Sequence, residues 1–214
     1  MPKDQFTADP LQALSRVENL DKTLSMCWQM LLLGSLHGRE PFHYPALGTI
    51  GEDGASVRTV VLRAVDKSSR ALFCHTDIRS TKVTELKSNN KVTWHFYHPR
   101  LRVQIRAAGL AHLHQKNALA REHWDKLTLR TKRTYCMLYA PGCPIPNPHR
   151  RHYWSSQWKE WVPTYEESES GFEHFAVLQS QIHTLEWFQI HPQGHLRAKF
   201  RWGGSDWKGE WLIP

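Results

Sequence analysis

The spacing of apolar positions along this 214-residue chain changes near residue 44. Ahead of that point it is helical. Asp9 can cap a helix, Pro10 suits a first turn, and Leu11, Leu14, Val17 and Leu20 follow at helical intervals. Asp21 is placed to cap a second helix, in which Leu24, Cys27, Trp28, Met30, Leu31 and Leu32 form a wide apolar face. Gly38 and Pro41 close this helical segment, which takes up residues 1–42. The period then falls to two. Residues 46–50 read as a strand, Glu52-Asp53-Gly54 as a hairpin turn, 57–65 as a second strand and 71–75 as a third. Residues 80–88 form a short helix ended by Asn89-Asn90, and 91–98 alternate as a fourth strand. A long fifth strand spans 101–114, with Gly109 marking a bulge or bend.

Residues 117–129 and 131–138 return to helical spacing. Pro141, Pro144, Pro146 and Pro148 exclude regular structure around them. The whole of 139–171 reads as an irregular Pro- and Trp-rich loop packed by Trp154, Trp158 and Trp161. Strands resume at 174–179, 183–189, 195–202 and 210–213. No segment repeats. The expected fold is mainly β with peripheral helices, a mostly antiparallel barrel in one domain spanning residues 1–214.

Composition narrows the partners. With 40% hydrophobic and 22% charged residues, the chain suits a soluble globular protein with a sizeable core. Its longest apolar stretch, 26–36, is roughly half a membrane span and is interrupted by Gln29, Gly34 and Ser35. No signal-peptide core follows Met1, so a cytoplasmic location is expected. Cys27, Cys74, Cys136 and Cys143 show no CxxC spacing, which points to reduced thiols. Fourteen histidines include His112-Leu113-His114 and the pair His191 and His195. No HExxH or histidine–carboxylate triad accompanies them, and no metal site is assigned. The net charge of +8 serves nucleic acid only if it gathers on one face. It is instead spread along the chain, with one knot at Arg150-Arg151-His152, which favours a small anion over nucleic acid.

One stretch fits that anion. Arg58 and Arg63 bracket the β-branched run Thr59-Val60-Val61, and a later strand runs into Thr76-Asp77-Ile78-Arg79-Ser80-Thr81-Lys82. Arginine offers a planar fork to phosphate oxygens, lysine a point charge, and hydroxyls fill the remaining lone pairs. The competing reading is a solvated strand end and an ordinary serine helix cap.

Taken in order, Glu52-Asp53-Gly54, the run from Val57 to Arg63, Thr76 to Lys82 and Arg102-Val103-Gln104-Ile105-Arg106 resemble the pyridoxamine 5′-phosphate oxidase family. The closing Trp207-Lys208-Gly209-Glu210-Trp211-Leu212-Ile213-Pro214 resembles that family's Trp-x-x-x-x-Leu-x-Pro ending. The match covers residues 44–105 and 175–214. It implies an FMN-binding split β-barrel that forms a homodimer with flavin at the subunit interface. By position, Arg58, Ser80 and Lys82 look like contacts to the flavin phosphate, with Thr76 beside them. Gln104 matches a glutamine beside the flavin ring, and Arg63 stands where the family has a lysine between flavin and substrate phosphate. Phe188 replaces a flavin-packing tryptophan, and Lys199 an arginine. Strict alternation sends residues 58 and 63 to opposite faces, so both serve one cofactor only if the strand bulges or Arg63 lies at its end.

The departures bear on substrate. The family's Arg-Leu-His-Asp-Arg signature appears as His195-Leu196-Arg197-Ala198-Lys199. The family's Tyr/Arg/Ser set for substrate phosphate is unmatched, because residues 141–148 occupy its place. Each lost clamp removes about 2 kcal/mol or more of charge-assisted bonding, which opposes efficient use of pyridoxine phosphate and places the chain nearer a divergent FMN-binding branch. His195 and Arg197 are candidates for a replacement substrate pair, and no catalytic residue is assigned. The expected function is flavin-dependent oxidoreduction of a small substrate. The alternatives are a genuine pyridoxamine/pyridoxine 5′-phosphate oxidase and a non-enzymatic protein that binds nucleic acid or another anion.

Overall fold

A computed structural model describes residues 19–145, 147 and 163–214. Helix α1 spans Leu20–Leu36 and is capped by Asn19, whose side-chain oxygen accepts the Asp21 and Lys22 amides at 2.8 and 3.2 Å. The cap therefore falls two residues before the expected Asp21. The helix expected to start at Asp9 lies outside the described residues apart from Leu20. Cys27, Trp28 and Leu31 bury one face of α1 against the sheet.

Among the described residues nine strands follow, interleaved with short helices: β1 (Ala46–Gly51), β2 (Gly54–Thr59), β3 (Ala64–Asp66), β4 (Ala71–Asp77), α2 (Thr81–Ser88), β5 (Lys91–His98), β6 (Val103–His114), α3 (Ala118–Asp125), α4 (Leu129–Lys132), α5 (Tyr165–Glu169), β7 (Phe175–Gln189), β8 (Leu196–Trp202) and β9 (Trp207–Leu212). All pairings are antiparallel, in the order β2-β1-β5-β6-β7-β4-β3, with β8 and β9 branching from β7. The expected mainly β, mostly antiparallel fold is the one observed. Its core is built by inward residues of alternating strands, among them Leu47, Trp94, Phe96, Ile105, Trp187 and Phe200.

Two expectations are corrected where the barrel splits. Residues 57–65 do not form one strand. β2 ends at Thr59 and β3 starts at Ala64, and these two strands lie at opposite ends of the sheet order. Between them, the amides of Val60, Leu62 and Arg63 donate to Pro45, His43 and Phe73 at 2.9, 3.0 and 2.8 Å, stitching the seam. The break resets alternation, so residues 58 and 63 need not obey a common parity. At the other end, 174–179 and 183–189 are one strand, β7. Its residues Phe175 to Gln181 pair with β4, and Thr184 to Gln189 pair with β8, while β6 lies along the opposite edge. The change of partner falls at a bulge, where Ala108 faces Thr184 and Gly109 faces Ile182. The bulge suspected at Gly109 is therefore real.

The helix expected over 117–129 ends at Asp125, and that expected over 131–138 gives way to a 3-10 turn, Arg133–Tyr135. Nor is all of 139–171 irregular. Thr164 and Glu167 close a capping box on α5, and the Lys132 ammonium lies 4.9 Å over Trp124 and 4.8 Å over Tyr165. Trp154, Trp158 and Trp161 lie outside the described residues.

Candidate functional site

The turn after β4 gathers the first group. Thr76 and Ser80 are buried, and their hydroxyls stand 3.1 Å apart. The Lys82 ammonium donates to both, at 3.2 and 3.1 Å. Lys82 makes no ion pair among the described residues, and burial pulls its pKa below the ordinary lysine range. Ser80 stands at the N-cap of α2, yet its side chain makes no capping bond. It donates to the Asp77 carbonyl at 2.8 Å and leaves the first-turn amides of α2 without a side-chain cap. The ordinary-cap reading of Ser80 therefore fails on geometry. Arg79 turns away. It grips Asp77 at 2.7 and 3.0 Å and reaches the Met137 carbonyl at 3.1 Å.

Arg58 is held by a different set of partners. Its Nη2 pairs with Glu85 at 2.8 Å and with the Ser56 hydroxyl at 2.6 Å. Its Nη1 donates to Thr49 Oγ1, to the Leu47 carbonyl at 3.3 Å and to the Ser56 carbonyl at 3.2 Å. Glu85, Thr49 and Ser56 were not anticipated. The signals lay in the three-residue step from Lys82 to Glu85 along a helix and in the hairpin register that sets Thr49 opposite Ser56. Burial opposes charge on Glu85, but hydrogen bonds from Thr49 and Arg58 outweigh it and hold the carboxyl below its usual range. Arg63 is exposed on the seam, where its charge acts on Cys74, His75 and Tyr135.

A second group lies on the outer face of β5 to β8. The Gln104 side-chain oxygen lies 3.1 Å from His95 Nε2, as a hydrogen-bond acceptor, and Gln104 sits opposite Phe188. Phe188 faces Arg197 across β7–β8, and the His195 ring lies 5.7 Å from it edge-on. Arg197 is ion-paired: Glu186, buried in the sheet face, binds it at 2.9 Å and binds Arg106 at 2.8 Å. Lys199 stands opposite Glu186. No hydrogen bond or ion pair among the described residues joins this group to the cradle around Lys82. Thr76 faces Ala176 and Gln104 faces Phe188, positions twelve residues apart on β7 (188 − 176), or roughly 40 Å of strand.

Beside the cradle, His75 Nε2 lies 2.9 Å from His123 Nδ1, while its own buried Nδ1 has no partner among the described residues. Burial, then the charges of Arg63 and His123, push the His75 pKa from 6.5 to about 3. Between those values the unfolded chain takes up a proton that the folded chain does not. Stability from this group thus falls as pH drops from 6.5 towards 3, by at most about 1.4 kcal/mol per pH unit. Urea unfolding across that range is expected to show a shallower pH slope in His75→Phe than in the parent, and an equal slope would refute the assignment.

An antiparallel sheet whose two halves part at β7, with Thr76, Ser80 and Lys82 gathered in the turn after β4, defines the class as a split β-barrel. Comparison with known proteins sharpens this. Residues 25–115 match the family model of the pyridoxamine 5′-phosphate oxidase FMN-binding domain. Pyridoxine/pyridoxamine 5′-phosphate oxidase 2 of Arabidopsis thaliana is 30% identical over 141 residues, covering 61% of this chain and 68% of that protein. The chain belongs to the FMN-binding pyridoxamine 5′-phosphate oxidase family. Two crystal structures share its fold. A related FMN-binding protein of Nostoc punctiforme has a TM-score of 0.67 at 17% identity, covering 93% of this chain and all (100%) of the other. PhzG of Burkholderia lata, solved with tetrahydrophenazine-1-carboxylic acid, has a TM-score of 0.63 at 18% identity, covering 94% and 96%.

Proposed function

We propose that this chain is an FMN-dependent oxidoreductase acting on a small substrate, with the flavin phosphate seated among Thr76, Ser80 and Lys82. One observation carries the reading. Lys82 holds a half-buried ammonium against two neutral hydroxyls, with no carboxylate in ion-pair range among the described residues. An ammonium withdrawn from water without a paired counter-charge is unfavourable, and a bound phosphate supplies that partner. The uncapped first turn of α2 adds backbone N–H donors for the same anion. The residues present therefore fit the phosphate end of FMN.

Bound FMN would supply the redox chemistry; the chain supplies anchoring, orientation and charge. Gln104, Phe188 and Lys199 are proposed to face the flavin ring, with Arg63 between the cradle and the substrate. A single copy spreads these groups along β7, which supports a homodimer whose second copy brings its outer face to the first copy's cradle. The family is typically dimeric. We read the chain as one domain, since β6 and β7 pass through the whole sheet. A cytoplasmic setting agrees with four free cysteines, Cys143 among them exposed.

The Arabidopsis relative favours a second reading, a genuine pyridoxamine/pyridoxine 5′-phosphate oxidase. Against it stands the altered signature His195-Leu196-Arg197-Ala198-Lys199, in which Arg197 is ion-paired to Glu186. Titration of purified protein with FMN, followed by flavin fluorescence and gel filtration, is expected to give one flavin per subunit in a dimer. Protein that neither carries nor takes up flavin would overturn the proposal. Oxygen-dependent formation of pyridoxal phosphate at a useful rate would replace it with the second reading.

A further inference from the structure

We infer that Glu85 competes with the flavin phosphate for Arg58, and so sets how tightly the chain holds FMN. This rests on the proposed phosphate cradle. The β1–β2 register places Leu47, Thr49, Ser56 and Arg58 on one face of the hairpin, and α2 lays Glu85 across it. The side chains of Arg58 and Glu85 are 22% and 10% exposed, so water does little to loosen the pair.

The donor count makes the competition concrete. A guanidinium has two hydrogens on each terminal nitrogen and one on Nε. The terminal nitrogens of Arg58 serve five acceptors: the Leu47 and Ser56 carbonyls, the Thr49 and Ser56 hydroxyls, and Glu85. Only Nε is left to an outside anion. A bidentate grip on phosphate therefore requires Glu85 to release Nη2. Arg58 stands near the cradle, since its partner Glu85 lies one turn beyond Lys82 on the same helix. Lys82 makes no ion pair with that carboxylate and points at Thr76 and Ser80. With Glu85 in place, the cradle offers a net charge of one (Lys82 plus Arg58 minus Glu85) to a phosphate monoester carrying about two negative charges. Without the carboxylate, two cations meet it.

Glu85→Gln keeps acceptor and donor atoms beside Arg58 and Thr49 while removing the charge. Its FMN dissociation constant is expected to fall about tenfold, and that of riboflavin, which lacks the phosphate, to stay within about twofold. Adding Arg58→Ala to Glu85→Gln is expected to erase the gain. A Glu85→Gln protein that binds FMN more weakly would overturn the inference, because Glu85 would then be orienting Arg58 rather than occupying it. An equal change for FMN and riboflavin would overturn it too. Should Glu85→Gln fail to fold, Glu85→Ala carries the same expected sign. The parent protein separates the two proposals. If it holds riboflavin as tightly as FMN, the cradle itself falls; if it prefers FMN and Glu85→Gln binds no tighter, only the role of Glu85 falls.

Discussion

Replacing Lys82 with methionine is expected to weaken FMN binding by roughly thirty- to 150-fold, equivalent to about 2 to 3 kcal/mol of charge-assisted bonding. Riboflavin, with no phosphate to lose, is expected to bind the variant and the parent alike. The flavin-free protein is expected to behave in the opposite sense. Lys82 is half-buried against Thr76 and Ser80 with no ion pair among the described residues, and burial outweighs the more distant carboxylates in disfavouring its charge, so it is expected to be a net burden on the empty fold. Methionine fills the same volume without the desolvation cost, and the thermal midpoint of the flavin-free variant is expected to equal or exceed the parent's. Affinity lost and stability kept is the signature of a binding residue. Unchanged FMN affinity in a destabilised variant would mean that Lys82 is structural and that the phosphate sits elsewhere.

How much of this was legible in the sequence depended on how local the determining physics was. Alternation alone marked β5, where Val92, Trp94 and Phe96 are buried between exposed neighbours. Glu52-Asp53-Gly54 marked its hairpin because Gly54 takes a φ of +115°, a region other residues rarely adopt. The donor set of Thr76, Ser80 and Lys82 was legible as chemistry. The fate of Arg58 was not: its partners Thr49 and Glu85 come from β1 and α2, and only the folded register brings them within reach. The same holds for Arg197. Beside His195 in sequence it resembled a substrate clamp, and its partner Glu186, shared with Arg106, comes from the neighbouring strand. Positive residues are easy to read from sequence; for Arg58 and Arg197 the carboxylates that pair with them sit on other elements.

Strand β7 was misread for a physical reason that also identifies the most sensitive glycine. Its core-facing residues are Leu178 and Ile182, then Leu185 and Trp187, so the inward parity switches from even to odd across His183. An alternation rule sees two strands, whereas the chain makes one strand with a bulge. Gly109 on β6 sits opposite this point, facing Ile182. A Cβ there would lie 2.0 Å from the Gln181 carbonyl oxygen, 2.7 Å from its carbon and 2.9 Å from Ile182 Cα. All three are backbone atoms, which cannot rotate aside as a side chain can. Nor can β7 retreat, because β4 and β8 hold its other edge on either side of the bulge. Gly109→Ala is therefore expected to cost about 3 kcal/mol or more, measured as a lower urea midpoint at unchanged slope. Gly54→Ala provides the contrast: its Cβ would meet nothing within 4 Å, so only the positive φ opposes it and the expected cost is about 1 kcal/mol. If the two variants lost equal stability, the close β6–β7 approach would not be the element that joins the two halves of the split barrel. If Gly109→Ala alone collapses, flavin affinity should fall with it, because Thr76 pairs to β7 on one side of this bulge and Gln104 on the other.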